Sequence, residues 1–336
     1  MSNEISPDHI MEIGHAFRAS RTLLSAVELG VFSVLAGGPL ALEPLRQRTK
    51  LDARAARDFI DALVAMDMLA RDSDGRYQNS AEADLYLDRN KPTYVGSLLE
   101  RLGSRDFAVW SSLTNALRTG QPQYNESAVN NFAPLYADAT STELYARGMT
   151  IRTRPVAKAL ASKFPWSDRR TLVDIGGAQG CLAVEIALAH RHITGGTFDL
   201  PALAPSFDGF VKQRGLSDRL CFYPGDFFKE ALPTADVLVL GRVLHNWDLA
   251  TKKMLLSKAY EALPTNGALI VYERLIDDER RVHMAALLSS LQMLLASKGG
   301  FDFTGVDCVG WMRETGFRDI RVETLTADQS MVVGIK

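Results

Sequence analysis

Residues 172–180, Leu-Val-Asp-Ile-Gly-Gly-Ala-Gln-Gly, form an apolar run that ends in an acid, Asp174, and a glycine-rich turn ahead of a helical stretch over 182–189. Glycines at such a turn let the backbone come close to a ligand. A dinucleotide site needs Gly-x-Gly-x-x-Gly, whereas the register starting at Gly176 puts Ala178 and Cys181 where the second and third glycines belong. Asp174 would repel a pyrophosphate and suits the ammonium of an amino-acid cofactor; the nicotinamide alternative is weakened and stays open. A second acid, Asp199, falls at the end of the next apolar run, where a carboxylate can accept both hydroxyls of a ribose. After the third run, Gly225-Asp226-Phe227-Phe228 offers a carboxylate for an adenine amino group and an aromatic ring to stack on the base. An adenosine-bearing cofactor is the expected ligand.

The elements that would position these residues follow from the hydrophobic pattern. Thr171-Leu-Val-Asp-Ile175, Ile193-Thr-Gly-Gly-Thr-Phe-Asp199, Leu220-Cys-Phe-Tyr223, Asp236-Val-Leu-Val-Leu240 and Ala268-Leu-Ile-Val-Tyr272 alternate with helical stretches. That grammar predicts a parallel sheet covered by helices. Residues 316–324 and 330–335 add two further strands as an antiparallel pair.

The first half reads differently. Ala16, Phe17, Leu23, Leu24, Val27, Val31 and Leu35 recur at helical spacing until Gly37-Gly38-Pro39 stops them. An amphipathic segment over 52–66 precedes Met68-Leu-Ala-Arg71, a turn at Asp72-Ser-Asp-Gly75 and Arg76-Tyr-Gln78, a short hairpin. Helix, helix, hairpin suggests a winged helix. The would-be recognition helix carries Asp52, Arg54, Arg57, Asp58 and Asp61, a mixed face and not the basic one that DNA binding requires. These helices are therefore expected to pack against another subunit, with a DNA-binding or cofactor-sensing regulator as the alternative.

The chain of 336 residues exceeds one comfortable core. Three segments are expected: a helical domain over 1–120, a helical linker contributing to the substrate pocket over 121–170, and the cofactor domain over 171–336. A composition 46% hydrophobic and 23% charged is that of a globular protein, and a net charge of −2 gives no field to gather nucleic acid or anionic membrane. The start lacks a signal-peptide pattern and no apolar run approaches a bilayer span, so a cytoplasmic location is expected. Cys181, Cys221 and Cys308, odd in number and in apolar company, are expected to be packed thiols. His9, His15, His190, His192 and His283 show no metal-ligand spacing, and no metal site is expected.

The ordered set of residues 174–180, Phe198-Asp-Leu-Pro201, Gly225-Asp-Phe-Phe228 and Leu244-His-Asn-Trp-Asp248 resembles the S-adenosylmethionine-dependent small-molecule O-methyltransferases of the caffeate and acetylserotonin type. The N-terminal helices and hairpin resemble that family's dimerisation domain, so nearly the whole chain is covered. The implied fold is α/β, a Rossmann-like class I methyltransferase sheet preceded by a mainly helical winged-helix dimerisation domain.

The resemblance further implies that Asp174, Gly176, Gly177, Asp199, Leu200, Asp226 and Phe227 hold S-adenosylmethionine. It makes His245 the general base that takes a substrate hydroxyl proton, steadied by Glu273 and Asp302, and leaves S-adenosylhomocysteine as product. A phenol with a pKa of about 10 is a poor nucleophile at neutral pH, whereas an imidazole of pKa about 6.5 is mostly ready to accept its proton. The scheme needs no metal. Asp302 is one methylene shorter than the usual glutamate, Asn246 stands where aspartate is usual, and Gly241 replaces a lysine that often holds the cofactor carboxylate, a duty that falls to Arg242. Tyr145 and Met149 match the pair that sandwiches a substrate ring, and Met293 and Ser297 match a second wall, although methionine at helical spacing is commonly core filler. The expected activity is methylation of a hydroxyl on a small aromatic, secondary-metabolite-like molecule by a homodimer, with nitrogen or carbon methylation on the same fold as the alternative.

Overall fold

The computed structural model describes residues 5–91, 93–124 and 139–336. The chain divides into two compact units, Met1–Ala108 and Val109–Lys336.

In the first unit α1 (Asp8–Glu28) breaks at Gly30, whose left-handed φ of +71° redirects the chain into α2 (Val31–Leu35). Then come α3 (Leu42–Thr49), α4 (Ala53–Ala65), the antiparallel hairpin of β1 (Leu69–Arg71) and β2 (Tyr77–Asn79), α5 (Ala81–Leu87) and α6 (Gly96–Arg101). Asp52 caps α4 by accepting from the Arg54 N–H at 2.9 Å. Asp72 closes the hairpin turn by accepting from the Asp74 and Arg76 N–H groups. Val27, Phe32, Leu45, Ile60, Leu63, Leu69 and Tyr77 fill the core. The N-terminal half of α1 buries nothing within this unit: Ala16 and Phe17 are exposed.

The chain runs on through a π-helical turn (Leu102–Asp106) and α7 (Phe107–Trp110) to α8 (Leu113–Thr119), then α9 (Ala139–Lys163). Of the described residues, 109–124 and 139–170 fall in the second compact unit, whereas the expected segment boundaries lie at 120 and 170. Its sheet has the order β5-β4-β3-β6-β7-β9-β8, built from β3 (Thr171–Ile175), β4 (Thr194–Asp199), β5 (Leu220–Pro224), β6 (Val237–Gly241), β7 (Ala268–Glu273), β8 (Arg318–Thr324) and β9 (Ser330–Ile335). β3 to β7 pair in parallel, and β9 runs antiparallel to β7 and β8. The helices are α10 (Cys181–Ala189), α11 (Ala204–Lys212), α12 (Leu249–Ala262), α13 (Met284–Ala296) and α14 (Gly305–Thr315).

Side-chain alternation along the strands divides the core into two layers. Val237, Val239, Ala268 and Ile270 pack with residues of α9 to α11, and Leu238, Leu240, Leu269 and Val271 with residues of α12 and α14. Burial on both faces explains why these strands read as unbroken apolar runs. Cys181 and Cys308 are packed thiols as expected, but Cys221 is exposed, because β5 is an edge strand. Its apolar neighbours in sequence gave no sign of that edge.

Candidate active site

The chain runs β3, β4, β5 outward on one side of the sheet, then returns to β6 on the other side of β3. Ligands bind where an open α/β sheet reverses in this way. Residues that follow β3, β4, β5 and β6 line a cavity of about 420 Å³ there, within the range of small-ligand sites. Gly176, Asp199, Leu200, Asp226, Phe227 and Arg242 line it, as do Tyr145, Met149 and Asn246. Asp174 and Gly177 line a smaller cavity that shares Met149, Gly176 and Gly241 with the main one.

The turn after β3 is tight for stated reasons. Gly176 has φ +75°, Ala178 has φ +51°, and a Cβ on Gly177 would fall 2.3 Å from the Asp174 Oδ2. Asp174 is 2% exposed, and burial, then the neighbouring Asp199 charge, holds its carboxyl well above the usual carboxylate range. A cation placed beside it would favour its ionised form. Asp199 Oδ2 accepts from the Ala178 N–H at 2.8 Å and Oδ1 from the Leu200 N–H at 2.7 Å. Burial outweighs these two bonds and pushes its pKa up to about 6.

Asp226 accepts from the Phe228 N–H at 2.9 Å and pairs with Lys229 at 3.0 Å. Burial works to raise its pKa, but the Phe228 bond and Lys229 together bring it below the usual value. Phe227 stands edge-on to Trp247 with centroids 5.9 Å apart.

Arg242 follows β6 in a left-handed conformation, φ +57°, fixed by its own N–H donating to the Tyr272 carbonyl at 2.9 Å. Its buried Nε has no hydrogen-bond partner among the described residues. Strain and an orphaned donor at a cavity wall are features of a ligand contact. A Cβ on Gly241 would fall 2.0 Å from the Tyr272 ring, so the ring already fills the space a lysine stem would need.

His245 lies in a short 3₁₀ turn (Leu244–Asn246) just beyond the cavity-lining Val243. Its Nδ1 is 2.6 Å from Glu273 Oε2, and its backbone N–H donates to Glu273 Oε1 at 3.3 Å. Glu273 ends β7 and is 1% exposed; His245 is 7% exposed. Asp302 completes the group: one polar atom from each of His245, Glu273 and Asp302 lies within 4.8 Å of the others. Asp302 Oδ2 has no partner among the described residues, and burial raises its pKa against the pull of His245. Close approach of the loop carrying Asp302 depends on glycine, because a Cβ on Gly300 would meet the His245 and Asn246 carbonyls at 2.7 Å.

The Asn246 amide donates to the carbonyls of Arg242 at 3.2 Å and Val243 at 3.1 Å. These two bonds leave its Oδ1 as the acceptor of the amide. Met293 and Ser297, expected as a second wall, lie at the end of α13 and line neither cavity. The Ser297 hydroxyl donates to the Met293 carbonyl at 2.9 Å and accepts from the Gly300 N–H at 2.7 Å, which holds the loop. The sequence reading missed Phe228 and Lys229 as cavity residues. It also missed Lys252, fully buried on α12. Its spacing with Leu255, Leu256 and Ala259, one face of a helix, was the available signal.

An O-methyltransferase domain family model matches residues 110–318, and an O-methyltransferase dimerisation domain model matches residues 11–89. The tetracenomycin polyketide synthesis 8-O-methyl transferase of Streptomyces glaucescens is 40% identical over 98% of this chain and 97% of its own. The N,N-dimethyltransferase OxyT of Streptomyces rimosus is 37% identical over 80% of this chain and 78% of its own. Human N-acetylserotonin methyltransferase, solved in complex with S-adenosylmethionine, superposes with a TM-score of 0.89 at 26% identity over 100% of this chain and 99% of that one. Fold and site define a class I S-adenosylmethionine-dependent methyltransferase. The chain belongs to the O-methyltransferase family.

Proposed function

We propose that this enzyme moves the methyl group of S-adenosylmethionine onto a phenolic hydroxyl of a polycyclic aromatic substrate, with His245 as general base. The observation that carries the reading is the buried His245–Glu273 pair beside a cavity whose walls match each part of the cofactor. Asp199 suits the ribose hydroxyls, Asp226 and Phe227 the adenine, Asp174 the ammonium, and Arg242, with its orphaned Nε, the carboxylate. When bound, the sulfonium supplies an electrophilic methyl group.

The protein's part is to hold and deprotonate the acceptor. With Nδ1–H donating to Glu273, the His245 Nε2 is the nitrogen left to take the hydroxyl proton. The imidazolium that forms lies beside Glu273 and Asp302, which stabilise its charge. Tyr145 and Met149 on the cavity wall suit the faces of an aromatic ring, and Asn246 Oδ1 a donor beside the reacting oxygen. Met293 and Ser297 act one step back, through the loop they hold. No divalent metal is required. Glu273 is already committed to His245 through both of its oxygens.

The substrate class follows the relative named for a tetracenomycin 8-O-methyl transfer. Methylation at nitrogen is the second reading, favoured by the similarity to an N,N-dimethyltransferase. The dimerisation model over residues 11–89 supports a homodimer. Calorimetric titration tests the cofactor site: micromolar binding of S-adenosylmethionine, no binding of NADH, and loss of the former in Asp199→Ala are expected. Binding of NADH alone would overturn the reading.

A further inference from the structure

Lys252 is 0% exposed, one of the largest fully buried side chains of the described residues, yet no step of methyl transfer has used it. It lies on the first turn of α12, whose N-cap, Asp248, follows directly on the turn that carries His245. Its Nζ donates to the Trp247 carbonyl at 2.5 Å and sits 3.4 Å from the centre of the Phe301 ring and 5.6 Å from that of Phe303. Phe301 and Phe303 flank Asp302. One ammonium therefore touches both segments that build the base: the turn with His245 through a hydrogen bond, and the loop with Asp302 through the aromatic faces on either side of it.

An ammonium without water is costly to bury, and the hydrogen bond and ring contacts offset only part of that cost. The remaining compensation is charge. Glu273 from β7, Asp302 from the loop and Asp248 from the α12 cap all favour its ionised form, against a burial cost that brings its pKa down to about 8. Further titratable groups around this cluster include His245 and Arg242, which act on Asp302, and the buried thiol of Cys308 on α14, which burial, then Glu273 and Asp307, keep neutral. Two buried carboxylates around one imidazole would otherwise carry an excess of negative charge and bind protons more tightly.

We propose that Lys252 is a positioning residue for the methyl-transfer base, a buried cation that ties the His245 turn to the Asp302 loop and balances the charge of Glu273 and Asp302. The proposal rests on the reading of His245 as base. Its physical content is a claim about the cluster's proton affinity, which is measured without substrate. Removing the cation makes every proton on the His245–Glu273–Asp302 cluster harder to remove, so the pH range in which His245 is free to accept a proton moves upward.

The test is NMR titration of the His245 imidazole, identified by its loss in His245→Asn, in the wild type and in Lys252→Met and Lys252→Gln. Glutamine retains a donor for the Trp247 carbonyl without the charge, so it separates charge from tether and serves if the methionine variant does not fold. The His245 midpoint is expected to rise by about one pH unit, a tenfold tighter proton, in both variants. A midpoint unchanged in folded Lys252→Gln overturns the proposal and leaves methyl transfer untouched. Conversely, absence of cofactor binding by the wild type would overturn the methyltransferase reading whatever the titration shows.

Discussion

In the role proposed for it, Asp199 would give cofactor binding a pH dependence of its own. Its folded pKa of about 6 lies above the ordinary aspartate value of 3.8, mainly through burial. Between those two values the folded protein holds a proton that the unfolded chain has released. Stability from this group therefore falls as pH rises through that window, and the penalty is complete above pH 6. Ribose hydroxyls donate to the ionised form, so S-adenosylmethionine affinity should weaken as pH drops below about 6, and titrations across pH 5 to 8 should lose that dependence in Asp199→Asn. An affinity flat across the same range in the wild type would remove Asp199 from the site. That Asp174, Asp199 and Asp226 line the cavities was readable in sequence, because each ends or follows an apolar run beside glycine or aromatic residues. Spacing put Lys252 on a buried helix face, but its place beside Asp302 was not readable, since the loop of Phe301 and Phe303 approaches from 49 to 51 residues away.

Among the elements, β4 shows how backbone packing constrains sequence beyond the hydrophobic pattern. Gly195 and Gly196 sit inside a parallel strand, where glycine ordinarily weakens the sheet. A Cβ on Gly195 would fall 1.8 Å from the Leu172 carbonyl oxygen of β3, and one on Gly196 1.7 Å from the Cys221 carbonyl oxygen of β5. Gly195→Ala should therefore cost about 3 kcal/mol or more in urea denaturation, because the obstacle is backbone that no rotamer change relieves. A loss below about 0.5 kcal/mol would show that the strand shifts freely. The order of strands and helices followed from the alternation of apolar runs. What sequence pattern could not supply was the side-by-side arrangement: that β5 is an edge, which exposes Cys221, or that Ser297 is spent on holding a loop.

For the whole molecule, the N-terminal unit leaves a row of apolar side chains on α1 open: Ile10, Ile13 and Phe17 are 72%, 64% and 55% exposed. Their i, i+3, i+7 spacing puts them on one helix face. Light scattering should find a homodimer, and Ile13→Asp with Phe17→Asp should yield monomer; a wild type that is monomeric at micromolar concentration would contradict this. No helix among the described residues is long and apolar enough to cross a membrane. On the proposed reading catalysis rests on His245 taking a proton from oxygen, and one experiment addresses that most directly: mass-spectrometric analysis of methyl transfer from S-adenosylmethionine to a panel of polycyclic phenols with and without an amino group, for the wild type and His245→Ala. An O-methyl product whose rate falls ~10²–10⁴-fold in the variant, with cofactor affinity unchanged, is the predicted result. A variant as fast as the wild type, or a methyl group found only on nitrogen or carbon, would contradict it.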